Sequence, residues 1–282
     1  LASRSDRLEE APVQLSAARF VREQALSSQD RQIPDLESIG FRVSPIAIPA
    51  TTVRNELLIH YADRRNLPAL DATTRLGVHL RFGTVSIRRL ARAAVELKAD
   101  VWLSELIWRE FFMSILAHFP HVTDRAFRAE YDRIEWRNSD EDFESWCAGR
   151  TGYPLVDAGM RELDQTGFMH NRVRMVAGSF LVKHLLIDWR RGEAHFARKL
   201  LDFDLSANNG NWQWVAGTGC DAAPYFRVFN PSEQIKKFDS KMEYIKRWVP
   251  EFGSSRYPEP MVDHRFARQR ALDVYKRALK AD

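Results

Sequence analysis

An all-α fold is predicted by three features of the 282-residue sequence. Apolar residues recur at helical spacing through most of the chain, alternating strand patterns are almost absent, and short polar loops separate the periodic stretches. Residues 1–50 read differently, as a connector. A polar, Arg/Glu/Gln-rich opening leads into "IPDLESIGFRVSPIAIPA", where Pro34, Gly40, Pro45 and Pro49 interrupt regular structure. From Thr51 the texture changes. "TTVRNELLIHYADRRN" places Val53, Leu57 and Tyr61 at helical spacing behind a threonine cap candidate. The same period continues in "SIRRLARAAVELK", "VWLSELIWREFFMSILAHF", "MHNRVRMVAGSFLVKHLLIDW" and "EAHFARKLLDF". The predicted organisation is a connector, 1–50, and a helical domain, 51–282.

Composition narrows the class. At 45% hydrophobic the chain can bury a substantial core, and no apolar run is long enough to cross a bilayer. No charged-then-apolar signal segment opens it, and a start at Leu1 suits a fragment or a processed product. Cys147 and Cys220, far apart and without metal-ligand spacing, fit a reducing, cytosol-like compartment and exclude a four-cysteine cluster built from this chain. No metal site is expected. A net charge of +4 permits a basic face and is a weak pointer to nucleic acid.

Four stretches depart from plain helix chemistry. In the 102–118 helix, Trp102, Glu105, Trp108 and Arg109 share or border one face. The plain reading there is a Glu105–Arg109 surface pair at i, i+4. In "GFMHNRVRMVAGSF", Asn171, Arg174 and Gly178 form one stripe with Met175 beside it. Polar groups on an otherwise apolar helix need partners, either a ligand or a loop aspartate such as Asp202 or Asp204. Gly178 permits close approach of something flat or of another backbone. "TTRLG", Thr73–Gly77, puts hydroxyls, a guanidinium and a glycine ahead of a helix, which suits a phosphate and equally suits a simple cap. "DFDLSANNGNWQW" crowds two acids, paired asparagines and two indoles into one segment. Trp136, Trp189 and Trp212 lie in three separate segments; brought together they form an electron path, and left apart they are ordinary core rings.

These residues carry a resemblance to a known family. "TTRLGVHLRFG", "VWLSELIWREFF", "TGYPLVDAGMREL", "GFMHNRVRMVAGSFLVKHLLIDWRRGE", "LLDFDLSANNGNWQWVAGTGCDAAPYFRVFNP" and "YPEPMVDH" occur in the order found in the photolyase/cryptochrome family. From about Thr51 onward the chain resembles the helical flavin-binding domain of a class I cyclobutane-pyrimidine-dimer photolyase.

The resemblance implies a bent FAD held by Tyr61, the phosphate loop Thr73, Thr74, Arg75, Leu76 and Gly77, and Trp102, Arg109, Asn171, Arg174, Asp202, Asp204 and Asn208. The family commonly has serine at Gly77 and tryptophan at Phe168, and relatives carry an extra segment between Phe252 and Tyr257. Asn208 matches the position facing flavin N5, where plant cryptochromes carry aspartate and animal ones cysteine. A neutral amide there suits the repair branch, because it hydrogen-bonds without supplying a carboxyl proton. Glu105, Trp108, Asn171, Met175 and Trp214 match the dimer pocket. There the indoles stack on an extruded lesion, a process in which photolyases are among the known base-flipping enzymes. Glu105 is implied both to hydrogen-bond the pyrimidine edge and to offset developing charge. Enzymes for (6-4) lesions have histidines at the Asn171 and Met175 positions, so that lesion is not expected. Trp212, Trp189 and Trp136 match the proximal, middle and distal photoreduction tryptophans, and Arg65, Arg172 and Arg227 match contacts to DNA phosphates.

The implied activity is light-driven repair of damaged DNA containing pyrimidine dimers by a cytoplasmic monomer using reduced FAD. The family's α/β antenna domain is expected to be absent, with Leu1 in or near the linker after it, so the antenna chromophore stays open. Two other readings stand beside repair: a cryptochrome-type blue-light receptor, and a flavin-free helical module that binds nucleic acid. Asn208, the dimer-pocket residues and the lack of a long tail after Asp282 weigh against the receptor. The polar stripe on a buried helix weighs against the flavin-free module.

Overall fold

A computed structural model of the chain describes residues 34–280. The polar opening of the expected connector, 1–33, therefore lies outside the described residues. The chain divides into two units, Leu1–Ile48 and Pro49–Asp282. Among the described residues of the first, residues 34–48 are mostly exposed, and a turn is closed by Phe41 N–H donating to Leu36 O at 2.9 Å.

The second unit is helical, with no strand among the described residues. Its helices are α1 (Asn55–Ile59), α2 (Tyr61–Arg64), α3 (Gly77–Phe82), α4 (Ile87–Glu96), α5 (Asp100–His118), α6 (Asp140–Cys147), α7 (Pro154–Thr166), α8 (Asn171–Ser179), α9 (Trp189–Lys199), α10 (Leu205–Ala216), α11 (Pro231–Phe238), α12 (Glu243–Trp248) and α13 (His264–Lys280). The boundaries follow local chemistry. Ser86, Ser139, Asp188, Asp204 and Asn230 cap α4, α6, α9, α10 and α11 by accepting backbone N–H bonds in the first turn. Pro154 and Pro231 stand at first-turn positions where no N–H is needed. Gly167 and Gly217 end α7 and α10 in left-handed conformation, at φ 67° and 84°.

Three expected elements differ. The expected threonine cap is not used: α1 begins after Arg54, which makes no side-chain cap bond, and the segment breaks at His60 into two short helices. The 169–189 segment is not one helix. α8 passes at Ser179 into a π-helical turn, Phe180–His184, closed by Leu185 N–H donating to Phe180 O at 3.1 Å. The helix expected to run on to Phe203 stops at Lys199, and Leu200 is extended.

α7, α8, α9 and α10 pack around the main core, with α12 against α7 and α5 against α10. Val156, Val173, Phe180, Leu181, Trp189 and Trp212 are buried there. Leu58, Leu76, Leu90, Trp102 and Leu106 form a second core under the 55–106 segment. Small residues set two of these distances. A Cβ at Gly192 would fall 2.2 Å from the Trp212 ring, and one at Gly210 would fall 2.1 Å from Phe112. Glycine is what lets α9 and α5 close on α10.

Candidate functional site

Helices α8 and α10 and the loop ahead of α10 wall an inner cavity. Asn171, Arg174, Asp202, Asp204, Asn208 and Trp212 are among its lining residues. An outer, larger and more open cavity lies beside it, lined by Arg65, Glu105, Trp108, Arg109, Phe112 and Arg172. Asn171, Met175, Ala207, Asn211 and Trp214 line both, so the two spaces share a wall.

The inner wall is held by charge pairing. Arg174 Nη2 donates to both Asp202 oxygens, at 3.2 and 3.0 Å, and its Nε donates to Met169 O at 2.6 Å. The stripe read from the sequence thus meets a loop aspartate and also faces a cavity. Asp204 Oδ1 accepts from Ala207 N at 3.1 Å and from the Ser206 hydroxyl, which fixes the start of α10. Gly178 serves helix packing: a Cβ there would meet Val215 at 3.2 Å and Trp212 at 3.5 Å.

Asn208 has a partner that the sequence did not reveal. Its Nδ2 donates to Glu193 Oε1 at 2.7 Å and to Glu193 O at 3.1 Å. Both neighbours are acceptors, so the amide has one orientation, with Oδ1 as its remaining hydrogen-bonding atom. Burial raises the Glu193 carboxyl pKa, and the Asn208 hydrogen bond opposes that rise.

In the outer cavity the expected Glu105–Arg109 pair does not form. Arg65 Nη1 lies 2.5 Å from Glu105 Oε1, while Arg109 Nη2 donates to Leu80 O at 3.3 Å. The Arg65 guanidinium also sits 5.3 Å from the Tyr61 ring centroid. Burial, reinforced by the Glu105 charge and opposed by Arg65, lifts the Tyr61 phenol to about 12. Arg172 donates to Asn66 Oδ1 at 2.6 Å and lies over Phe238, and Arg227 stands 6.0 Å from the Trp214 ring.

Other expected site residues lie further back. Trp102 is buried in the second core, with Tyr61 packed against that core, and neither lines the inner or the outer cavity. Thr73–Gly77 leads into α3, and Arg75 takes a left-handed conformation with its guanidinium 4.6 Å from the Phe168 ring. A Cβ at Gly77 would lie 2.8 Å from Asp202 Cβ, so this loop abuts the aspartate paired with Arg174.

Trp212 and Trp189 are buried in the main core and Trp136 packs against it. Among the described residues no ring contact joins these three directly. Trp212 meets Trp146 and Phe196, with centroids at 6.2 and 5.0 Å, and Trp136 meets Tyr275 at 6.0 Å. Trp212 lines only the inner cavity and Trp214 lines both, so these neighbours in sequence face different surroundings.

The Arg174 guanidinium, the Asn208 carbonyl and an aromatic wall around the inner cavity fit a ligand with a flat polar ring system. No group of His, Cys, Asp and Glu fit to hold a metal ion occurs among the described residues. No helix among them is long and apolar enough to cross a membrane.

Residues 102–255 match the family model described as the FAD binding domain of DNA photolyase. The chain is 44% identical over 268 residues to the deoxyribodipyrimidine photo-lyase of Vibrio cholerae, covering 83% of this chain and 57% of that protein. It is 44% identical over 248 residues to the Escherichia coli enzyme of the same name, covering 78% and 52%. A crystal structure of a bacterial class III photolyase from Agrobacterium tumefaciens superposes with a TM-score of 0.76 at 41% identity, over 80% of this chain and 53% of that one. The chain spans about half the length of the curated relatives it matches. With its helical architecture and its paired cavities, the chain belongs to the family of the FAD-binding domain of DNA photolyase.

Proposed function

We propose that this chain is the catalytic part of a light-dependent DNA-repair lyase that splits cyclobutane pyrimidine dimers. The observation that carries the reading is the wall of Asn171, Met175, Ala207, Asn211 and Trp214 shared by the two cavities. It sets a chamber that reaches Asn208 and the Arg174–Asp202 pair beside a wider one that holds Glu105 and Trp108. In this reading residues 51–282 bind FAD and DNA, and residues 1–50 serve as a connector.

Bound in the inner cavity, FAD would supply a light-absorbing one-electron donor. Arg174, Asp202 and Asp204 would hold it, with the 73–77 loop, Tyr61 and Trp102 behind them and Arg109 reaching it from the adjoining outer cavity. Asn208, oriented by Glu193, would offer Oδ1 to it as a hydrogen-bond acceptor.

The outer cavity receives the extruded lesion. Trp108, 43% exposed, and Trp214 present ring faces for stacking on the pyrimidines. Met175 adds an adaptable apolar contact, and Glu105 and Asn171 address the pyrimidine edges. Glu105 uses one carboxylate oxygen for Arg65, which leaves the other for the base. Arg65, Arg172 and Arg227 neutralise phosphates around the opening. Trp212, Trp189 and Trp136 form a relay that restores the electron after oxidation. The chain acts as a monomer in a reducing, cytoplasmic compartment; burial raises the pKa of both cysteine thiols, which favours their protonated, unreactive state.

The test is repair of an oligonucleotide carrying one thymine dimer by the reduced, FAD-loaded chain. Blue-light-dependent loss of the dimer is expected. Stable flavin binding with no repair would move the chain to the receptor reading, and no flavin binding after reconstitution would move it to the flavin-free one.

A further inference from the structure

None of the roles above uses the buried lysine at the end of α8. The π-helical turn Phe180–His184 carries Lys183 into the interior, where it is 1% exposed. An apolar position filled by lysine needs partners for its ammonium group. It has three. Nζ donates to Ala216 O at 2.8 Å and to Tyr225 O at 3.3 Å, and it lies 3.5 Å from the Tyr275 ring centroid.

Each carbonyl lies two residues from a side chain assigned above to the substrate. Ala216 is the last residue of α10, the helix that carries Trp214, and its carbonyl is at the negative end of that helix's dipole. Tyr225 lies two residues before Arg227. Between them Gly217, at φ 84°, turns the chain sharply, and Pro224, Phe226 and Arg227 are exposed. Burial pulls the amine pKa well below the ordinary lysine value, but an amine donates hydrogen bonds in either protonation state.

We propose that Lys183 is a positioning residue: by tying the 217–227 segment to the end of α10, it holds Arg227 beside Trp214 to receive the DNA backbone. The Tyr275 hydroxyl also donates to Ala216 O, at 2.8 Å, so that carbonyl keeps a donor when Lys183 is removed. Among the described residues the Tyr225 carbonyl has no such second donor, so the loss falls on the Arg227 side of the clamp. The proposal rests on the DNA-binding reading above.

The experiment is Lys183→Met, assayed by binding a fluorescein-labelled single strand with one thymine dimer across a salt series. Losing the Arg227 phosphate contact lowers the salt slope by about 0.7, one phosphate's share on a single strand. Affinity at low salt falls several-fold with it. Tyr257→Phe, which removes a hydrogen bond to Asp157 away from the site, controls for stability and keeps the wild-type slope. A folded Lys183→Met protein with wild-type slope and affinity overturns the proposal. Should that variant not fold, hydrogen exchange of Lys183→Gln decides: faster exchange confined to 217–227 is expected, and wild-type protection there overturns it. Wild-type protein without salt-dependent DNA binding contradicts the DNA-binding reading instead, and the exchange measurement then still decides the clamp.

Discussion

Asn208 gives both amide hydrogens to Glu193, one to the carboxylate at 2.7 Å and one to the backbone carbonyl at 3.1 Å. This pairing fixes which end of the amide remains for the inner cavity. It also makes Asn208 and Glu193, fifteen positions apart, one unit.

Asn208→Asp breaks that unit by setting two carboxylates face to face, so one of them must keep a proton. Burial already raises the Glu193 pKa from 4.5, and the lost hydrogen bond removes the interaction that opposed it. A carboxyl whose folded pKa is raised contributes stability below that pKa, and loses it as pH rises from the unfolded value through the folded one. Thermal melts of Asn208→Asp are therefore expected to fall below wild type most steeply above about pH 4.3, the ordinary glutamate value. Equal melting temperatures at pH 4 and pH 8 would contradict the pairing. Under illumination the flavin spectrum is expected to change and repair to weaken.

The Arg65–Glu105 pair is readable through Tyr61. Glu105→Gln removes a charge that holds the phenol up, so the Tyr61 pKa falls below about 12. Ultraviolet absorbance titration measures it. Because burial is the larger cause, the pKa should stay above the ordinary tyrosine value of about 10. No change would place Glu105 away from Tyr61 in solution. Affinity for dimer-containing DNA should fall with the same substitution by about tenfold, the loss of one hydrogen bond to a charged group worth ~1.5 kcal/mol.

Trp212→Phe removes the ring packed against Gly192, Trp146 and Phe196. A stability loss of about 1–3 kcal/mol is expected from the void. Light-driven reduction of the bound flavin should slow, while repair by chemically reduced protein persists. If the prereduced protein also stops repairing, Trp212 is not a relay.

Gly77→Ser restores the residue common in the family. In this chain the new Cβ falls 2.8 Å from Asp202 Cβ, so the aspartate paired with Arg174 has to shift. A cost of about 1–3 kcal/mol follows from overpacking. Weaker flavin retention should accompany it, measured as flavin released on dilution. Unchanged stability with tighter flavin binding would mean that the loop adjusts and gains a hydroxyl contact.

The fold class was legible because helical periodicity dominates the chain, and the family was legible through long, ordered motif blocks. The pairings were not. Arg65 and Glu105 are forty residues apart, and nothing in spacing favours Arg65 over Arg109, which sits one helical turn from Glu105 and yet turns to Leu80 O. Glu193 meets Asn208 only because α9 packs on α10, and helical periodicity does not announce the π-turn that carries Lys183 inward.

The central claim is that the two cavities are a flavin chamber and a lesion chamber sharing a wall. The most direct measurement is the fluorescence lifetime of reduced FAD bound to the chain, with and without a thymine-dimer oligonucleotide. Adjacent chambers predict a lifetime clearly shortened by the dimer strand and left unchanged by the same strand undamaged. A lifetime indifferent to a bound dimer would contradict that arrangement.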